Sequence, residues 1–392
     1  ATSRAMPASP VNWVARAITL PDDPGAHHPA PAPLLRREFV LEVPPRSAFL
    51  HVTALGLHRV SINGRLVSAD LLAPGWTPYR QRLLHDTYDV TGLLTAGANV
   101  IAAALGDGWY RGRLGWSPGN DRATYGTQVA LIAQLEVELA DGSRTIVASD
   151  GSWVASTGEI RSADLYDGTV VDLRQRREGW DRPGYDAAGW LPVVEVPLER
   201  DVIEPRMAPP VRPVELIPVE VPRVDGRRTT LDSGQNLAGF VRLVVRGRAG
   251  DTVTVRHAEV LEPDGSLHTR SLRSARATDR YVLADDTEVV LEPPFTFHGF
   301  RYAEVQTEAT VVAAEIVAIS SDVPRRGWFS CSNAALDRLH ENVVWSQRGN
   351  FVSVPTDCPQ RDERLGWTGD AQAFAATACT LFDTETFWRS WL

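Results

Sequence analysis

Two hydrophobic periods follow one another along this chain, and they limit its fold more than any other feature. From Leu35 to about residue 325, apolar residues recur in short runs of strand length, separated by Gly, Asp and Pro. This pattern is typical of β-sheet and excludes a helical bundle over that stretch. Near residue 330 the apolar residues change to helical spacing. The sequence therefore predicts a mostly β protein whose last part is helical.

The length of 392 residues exceeds what one hydrophobic core serves and predicts two to four domains. We divide the chain into an irregular lead-in at 1–34, a first β-sandwich at 35–200, a second β-sandwich at 201–326 and a helical segment at 327–392. A Pro-rich link at 205–222 separates the two predicted sandwiches. The helical segment holds only three predicted helices, which make a poor core on their own.

Local signals place individual elements within these parts. Asn63-Gly64 suits the left-handed positions of a two-residue hairpin turn. Ser332 or Asn333 can cap a first helix, and Thr384 can cap a third. A second helix is predicted over 369–381. Predicted strands cover 37–43, 48–53, 60–67, 99–105, 128–139, 144–148, 240–247, 252–259, 279–283, 288–291 and 297–307.

Charge and composition exclude several classes of function. The net charge of -9 argues against a nucleic-acid partner, because phosphate binding needs clustered basic charge. All 40 basic residues are Arg, so chemistry that needs a Lys Schiff base is excluded. No apolar run reaches the roughly 18 residues of a membrane helix. The start lacks a basic stretch followed by an apolar run, so no signal peptide is predicted.

The three cysteines, Cys331, Cys358 and Cys379, are an odd number and include no CxxC pair. They form neither a disulfide framework nor a typical zinc site. Reduced thiols favour a cytoplasmic location, with secretion as the alternative if a leader has been removed.

An acid-rich string from Asp357 to Asp370 carries the strongest chemical signal. It holds four carboxylates, two Arg and one Trp within 14 residues, and Pro355 and Pro359 keep its first half out of helix. It is therefore predicted to be a loop that leads into a helix, where site residues are common. Glycosidic cleavage needs a carboxylic acid beside the leaving oxygen and a second carboxylate opposite it.

The same residues have structural interpretations. An Arg–carboxylate network could cap the helix at 369–381, with Asp370 favoured by the helix dipole. Trp367 could be ordinary packing, and Cys358 is interpreted as a buried thiol rather than a nucleophile. Neighbouring acids raise a carboxyl pKa whereas Arg lowers it, so the residues alone do not identify the acid with the raised pKa.

The string at 357–370 resembles the signature of glycoside hydrolase family 78, the bacterial α-L-rhamnosidases. Four upstream strings resemble the two β domains of that family, in the expected order: 72–79, 105–112, 232–239 and 295–302. The resemblance implies two β-sandwich domains followed by the first helices of an (α/α)6 barrel. It also implies hydrolysis of terminal α-L-rhamnosides with inversion.

The resemblance further implies roles for the residues of the motif. Glu363 matches the general acid, and the residues expected to bind the sugar are Asp357, Arg361, Trp367, Asp370 and the adjacent Asp362. The general base of the family is implied beyond Leu392, so we expect this chain alone to lack the complete catalytic pair and to be inactive. The chain departs from the family at Tyr166-Asp167-Gly168-Thr169, where an acid usually follows the Gly.

No cofactor or metal is predicted for catalysis. Some relatives bind calcium in the first β-sandwich, where Asp107, Asn120 and Asp121 could provide oxygen ligands, although turn residues beside Gly are the alternative. Trp109, Tyr110 and Trp116 could stack on sugar or lie in the core.

Three functions stay open at this point. The first is an α-L-rhamnosidase acting on a rhamnose-containing glycoside or polysaccharide, with no nucleic-acid or membrane partner. The second is a non-catalytic carbohydrate-binding fragment of two β-sandwiches. The third is a barrel hydrolase acting on another deoxysugar or a uronic acid. The residues indicate neither an oligomeric state nor a linkage preference.

Overall fold

The computed structural model describes residues 11–25, 28–116, 122–220 and 228–392. In chain order the strands are β1 (Ala17–Thr19), β2 (Pro33–Leu41), β3 (Pro45–Leu55), β4 (Leu57–Ile62), β5 (Arg65–Leu66), β6 (Leu83–Asp89), β7 (Gly97–Gly106), β8 (Ala130–Leu139), β9 (Arg144–Ala148), β10 (Val154–Thr157), β11 (Ile160–Asp164), β12 (Gly168–Asp172), β13 (Leu191–Pro192), β14 (Val194–Val196), β15 (Ile203–Pro205), β16 (Val211–Val219), β17 (Arg228–Arg246), β18 (Thr252–Ala258), β19 (Thr278–Val282), β20 (Val289–Leu291), β21 (His298–Thr307), β22 (Thr310–Ser321), β23 (Phe351–Val352) and β24 (Val354–Pro355). The helices are α1 (Gly108–Arg111), α2 (Ala334–Asn350), α3 (Thr368–Leu381) and α4 (Glu385–Trp391).

The chain divides into two compact units. Unit 1 comprises Ala1–Arg111, Ala123–Gly158 and Arg176–Arg206. Unit 2 comprises Gly112–Arg122, Glu159–Gln175 and Met207–Leu392. The prediction of a mostly β protein with few helices is confirmed. Among the described residues, no helix is long and apolar enough to cross a membrane.

Unit 1 contains two antiparallel-rich sheets that share one core. The first has the strand order β14-β1-β8-β3-β6-β15, with β9 paired to β8, and the second has the order β13-β10-β2-β7-β4-β5. Alternate residues of both sheets, among them Leu50, Val52, Leu35 and Ile101, are fully buried in one cluster. The predicted Asn63-Gly64 turn joins β4 to β5, and both residues have positive φ (53° and 77°). The period-2 pattern thus produced the sandwich that it predicts.

Unit 2 is built on one sheet of nine strands, in the order β11-β12-β19-β18-β21-β17-β22-β16 with β20 paired to β17. This differs from the two facing sheets predicted for the second sandwich. The strands β11 and β12, predicted within 35–200, join this sheet because β12 pairs in parallel with β19. In the predicted lead-in, β1 pairs with β8 and β14 of unit 1, where Ile18 is fully buried. A local hydrophobic pattern does not predict pairings between strands that are so far apart in the sequence.

The Pro-rich link also contains a strand that the sequence did not predict. β16 lies at the edge of the nine-stranded sheet, and β22 is its partner on the inner side. Its Pro213 and Pro218 are tolerated because an edge strand leaves half of its N–H groups outside the ladder. The pairing register shifts between Pro213 and Glu215, whereas Pro218 pairs with Glu315 in continuous register.

The helices of unit 2 follow the predicted caps in part. The Asn333 side chain accepts a hydrogen bond from the Ala335 N–H at 3.0 Å and caps α2, as predicted. Thr384 precedes α4, but its side chain makes no capping bond and instead contacts Cys379 Sγ at 3.1 Å. On the predicted apolar face of α2, Val344 is buried whereas Leu336 is exposed.

Buried histidines make the stability of unit 1 depend on pH. Burial lowers the pKa of His58 to about 3 and that of His85 to about 4. As pH falls below 6.5, the unfolded chain therefore binds protons that the folded chain does not, and stability is lost. Burial raises the pKa of Asp86 to about 6, which acts in the opposite sense between pH 6 and 3.8. Between pH 6 and pH 3.8, the stability gained through Asp86 as pH falls thus offsets the stability lost through one of the two histidines.

We predict that His85→Phe flattens the fall in stability between about pH 6 and pH 4.5 by roughly 1.4 kcal/mol per pH unit. Phe keeps the ring that packs edge-on against Trp13 but cannot bind a proton. Urea midpoints followed by Trp fluorescence at both pH values measure the change. The exposed His28 gives the control variant His28→Asn, for which the wild-type slope is expected. A wild-type slope in His85→Phe would contradict the prediction.

Candidate active site

The acid-rich motif forms a loop between β24 and α3, as predicted. The loop is closed by a β-bridge between Thr356 and Gly366. A Cβ at Gly366 would lie 2.2 Å from the Trp391 ring, so a residue with a side chain does not fit there without movement of that ring. The loop therefore presents its acids immediately before the N-terminus of a helix.

Three of the predicted site residues meet in one ion-pair network. The Arg361 guanidinium bonds Asp357 Oδ2 at 3.1 Å, and its Nε and Nη2 bond Glu363 Oε2 at 3.0 and 2.9 Å. The other Asp357 oxygen accepts a hydrogen bond from the Leu365 N–H at 3.2 Å. The network therefore holds two carboxylates of the motif in fixed orientations.

Glu363 is held on one oxygen only. Arg273 Nη2 also donates to Oε2, at 3.0 Å, so two guanidinium groups share that atom. Among the described residues, Oε1 has no hydrogen-bond partner. The side chain is 13% exposed. One carboxylate oxygen is thus oriented by the protein and the other is available to a ligand.

Asp362 points away from this network. Its buried carboxylate accepts hydrogen bonds from the Ser274 N–H at 3.2 Å and the Ser274 hydroxyl at 2.5 Å, both on Oδ2. Arg273 Nη1 lies 3.7 Å from its other oxygen. These contacts describe an anchor for the loop, and the sugar-binding role predicted for Asp362 stays a prediction.

Trp367 and Asp370 lie on the solvent side of the motif. The Trp367 ring is 38% exposed and stacks on Trp116, which is 49% exposed, with centroids 5.8 Å apart. Trp109 and Tyr110 are buried, in agreement with the core interpretation of these two residues. Asp370 is exposed in the first turn of α3, where its charge suits the helix dipole.

The structural alternative is correct in its Arg–carboxylate network and in the position of Asp370, but the network does not cap α3. The residue at the N-cap position is Trp367, whose side chain makes no capping bond. The Arg361 guanidinium instead joins the carboxylates of the loop to one another.

The side chain of Arg364 lies buried beneath the acid-rich loop and holds its backbone. This buried guanidinium donates to four backbone carbonyls, those of Leu165 (2.6 Å), Phe297 (3.0 Å), Arg361 (3.1 Å) and Gln360 (3.2 Å). Burial lowers its pKa, and the carbonyl dipoles offset the cost of holding its charge away from water. The backbone on both sides of Glu363 is fixed by this one side chain and its neighbours.

Tyr166 fixes the backbone of Glu363 from the other side. Its hydroxyl donates to the Glu363 carbonyl at 2.6 Å and accepts a hydrogen bond from the Gly115 N–H at 3.0 Å. Burial raises the pKa of Tyr166 to about 12, so the phenol keeps its proton for the first of these bonds at neutral pH. Tyr166 belongs to the string in which Thr169 replaces an acid, and the Thr169 hydroxyl donates to the Ser162 carbonyl.

Several residues of this site were not predicted. Tyr166, Arg273, Ser274 and Arg364 received no role from the sequence, although Arg364 lies inside the motif. Arg273 is far along the chain from Glu363, and its surroundings carry no recognisable pattern. The only local signal is its positive φ of 55°, which is rare for a residue other than Gly and is visible only in the structure.

Among the described residues of unit 2, two groups of side chains could hold a metal by proximity. Asp357, Cys358 and Glu363 lie within 4.8 Å of one another, but Arg361 already bonds both carboxylates. Burial raises the pKa of the Cys358 thiol to about 12, which also opposes its use as a nucleophile.

The second group is His257, Asp279 and His298. The two imidazole rings stack at 4.1 Å with 23° between their planes, and Asp279 Oδ2 lies 3.1 Å from His298 Nε2 and 4.0 Å from His257 Nε2. In unit 1, Asp107 is ion-paired with Arg111 at 2.7 Å. Asn120 and Asp121 lie outside the described residues, and calcium binding stays a prediction.

Family models match most of the chain. The α-L-rhamnosidase N-terminal domain matches residues 44–215, and the bacterial α-L-rhamnosidase concanavalin-like domain matches residues 222–320. The bacterial α-L-rhamnosidase six-hairpin glycosidase domain matches residues 324–392 and so includes the acid-rich loop.

Curated relatives carry the same assignment. An α-L-rhamnosidase from Streptomyces avermitilis is 46% identical over 368 residues, which cover 91% of this chain and 35% of the relative. One from Formosa agariphila is 37% identical over an alignment 397 residues long, which covers 97% of this chain and 42% of the relative. The chain thus spans less than half the length of these relatives.

Solved structures agree with the sequence matches. The α-L-rhamnosidase from Aspergillus terreus superimposes with a TM-score of 0.92 at 41% identity, over 96% of this chain and 44% of that one. The Streptomyces avermitilis α-L-rhamnosidase complexed with L-rhamnose gives 0.88 at 44% identity, over 93% and 36%. Because three domain models of one family match this chain in order, and because these relatives share that assignment, the chain belongs to the bacterial α-L-rhamnosidase family.

Proposed function

We propose that this chain supplies the acid side of the active site of an enzyme that removes terminal α-L-rhamnose with inversion. The observation that carries the proposal is the Glu363 carboxylate: two guanidinium groups fix Oε2, and Oε1 has no hydrogen-bond partner in the part of the chain that the structure describes. A general acid needs this combination of fixed orientation and one free oxygen. Glu363 would donate the proton on Oε1 to the glycosidic oxygen as the bond to rhamnose breaks.

An inverting pair also needs a base about 6.5–9.5 Å from the acid, so that a water molecule fits between that base and the sugar. Asp357 does not satisfy this requirement, because its carboxylate lies within 4.8 Å of that of Glu363 and is bonded to the same guanidinium. As the resemblance to the family implies, we expect the base in a part of the natural protein outside these 392 residues. The chain alone is then expected to be inactive.

The remaining predicted site residues suit sugar binding. Asp357 and Asp370 offer carboxylate oxygens to ring hydroxyls, and Arg361 offers N–H groups. The exposed rings of Trp367 and Trp116 offer an aromatic surface for the apolar face of a sugar. A rhamnose-containing glycoside is the partner that these groups and the family assignment support. The alternative of a non-catalytic binding fragment is not favoured, since the glycosidase domain model covers the acid-rich loop.

Hydrolysis of 4-nitrophenyl α-L-rhamnoside tests the proposal. We expect the natural full-length protein to release 4-nitrophenol and the 392-residue chain to release none. Proton NMR of the first sugar formed should show the β anomer of rhamnose, as inversion requires. Release of the α anomer would contradict inversion. A full-length protein that cleaves another aryl glycoside but not this one would contradict the rhamnoside assignment.

A further inference from the structure

Two adjacent residues of the concanavalin-like domain form hydrogen bonds with two adjacent residues of the acid-rich loop. Arg273 bonds Glu363, and Ser274 bonds Asp362, at 3.0 Å and 2.5 Å respectively. The first pair of residues lies within the match at 222–320 and the second within the match at 324–392. We propose that Arg273 is a positioning residue for Glu363, so that the concanavalin-like domain forms part of the active site. This inference rests on the proposed function.

The turn that carries Arg273 is held in place independently of Glu363. Arg273 follows the short helical turn Arg270–Leu272, and its N–H donates to the Arg270 carbonyl at 3.3 Å. The Leu272 side chain is buried. Arg113 donates to both the carbonyl and the hydroxyl of Ser274, and it also bonds Asp167 at 2.7 Å. The turn therefore presents Arg273 from a rigid base.

The backbone of Arg273 is strained in a way that suits this role. Its φ of 55° with ψ of -115° is a conformation that residues with a side chain rarely adopt. Strain of this kind persists where the surroundings impose it, and it is common at functional sites. Here it directs a long cationic side chain, 44% exposed, over the acid-rich loop.

Charge explains what Arg273 adds to the contacts made by Arg361. Arg361 is shared between Asp357 and Glu363, and Arg273, which also lies 3.7 Å from Asp362, brings a second cation to the same Glu363 oxygen. With both cations on Oε2, the proton of the carboxylic acid is carried on Oε1, for which the described residues provide no hydrogen-bond partner. Arg273 thereby fixes both the direction of the carboxyl group and the atom from which the proton leaves.

Arg273 can be removed without removing the structural anchor. The two hydrogen bonds from Ser274 to Asp362, and those from Arg113 to Ser274, do not involve the Arg273 side chain. Arg270 provides a matched control, since it lies in the same turn, is exposed, and contacts Glu262 rather than the loop. A loss specific to Arg273 is therefore a loss of its side-chain contacts with the loop, with Glu363 at 3.0 Å and with Asp362 at 3.7 Å.

The test is kinetic and uses the natural full-length protein with an alkyl α-L-rhamnoside, whose poor leaving group needs the proton of the acid. Arg273→Gln is expected to lower kcat about 10- to 100-fold with KM changed less than about threefold, because the acid is misdirected rather than the sugar lost. The alkaline limb of the pH profile of kcat/KM should move to higher pH, since a cation that favours the ionised carboxylate is gone. Arg273→Lys should recover most of the rate, and Arg270→Gln should match the wild type.

A wild-type kcat and an unmoved alkaline limb in Arg273→Gln would overturn the proposal. A lowered rate with an unmoved limb and no rescue by Lys would also overturn it, because that result indicates a structural role. If Arg273→Gln does not fold, Arg273→Met is measured, and failure of both to fold equally contradicts a positioning role. A wild-type protein that cleaves only another aryl glycoside contradicts the rhamnoside assignment alone, and the same variants are then compared on that substrate.

Discussion

Glu363→Gln is expected to lower turnover of the natural full-length protein on rhamnosides with poor leaving groups by about 10²- to 10⁴-fold, with the fold intact. A Gln amide has the size of the carboxyl group and can keep its oxygen toward Arg273 and Arg361. It cannot supply a proton to the glycosidic oxygen. The loss is therefore a loss of chemistry and not of structure, which circular dichroism and an unchanged urea midpoint should verify.

Leaving groups of different basicity separate proton donation from other roles of Glu363. A 2,4-dinitrophenyl rhamnoside needs little protonation as its bond breaks, so its hydrolysis should be affected far less by Glu363→Gln than that of an alkyl rhamnoside. Glu385→Gln is the control, since this exposed residue of α4 pairs only with Arg389 on the surface. An equal loss on both substrates would remove Glu363 from the acid role, and so would a near-wild-type rate on the alkyl rhamnoside.

Features encoded within a few residues were predictable from the sequence. The Asn63-Gly64 turn, the Asn333 cap of α2 and the loop before α3 each depend on local backbone preferences, and each is present. Of the candidate site, Asp357, Arg361 and Glu363 lie within seven positions of one another, so one loop was enough to bring them together. Short-range geometry and the resemblance of one motif were sufficient for this part.

Features that depend on distant contacts were not predictable. Tyr166 and Glu363 are 197 positions apart, and Arg273 and Glu363 are 90 apart. Each of these contacts depends on where the nine-stranded sheet brings its loops, and no hydrophobic period records that. For the same reason the sequence interpretation placed residues 159–175 within the first sandwich, whereas β12 pairs with β19 of unit 2. The protein groups that orient the acid thus come partly from outside the motif that identifies the acid, from Arg273 and Tyr166.

Arg364→Ala is expected to destabilise the chain by about 2–5 kcal/mol, the largest stability effect that the site offers. Removal of the guanidinium leaves four carbonyls, including those of Leu165 and Phe297, without their donor in a buried place. Arg364→Lys should recover only part of the loss, because one ammonium group has three N–H donors and cannot match the planar arrangement of Arg. Urea unfolding of the 392-residue chain measures both variants.

The control for this prediction is Arg389→Ala, which removes an exposed guanidinium that faces Glu385 at 3.6 Å and should change stability by less than about 0.5 kcal/mol. If the urea midpoint of Arg364→Ala equals that of the control, water replaces the guanidinium without cost. Arg364 would then not stabilise the loop. If the destabilisation is found, the activity of the natural full-length protein carrying Arg364→Ala should also fall, even in molecules that remain folded. The carbonyls that Arg364 holds include that of Arg361, two residues before Glu363. A loosened backbone there misplaces both the acid and the cation that orients it.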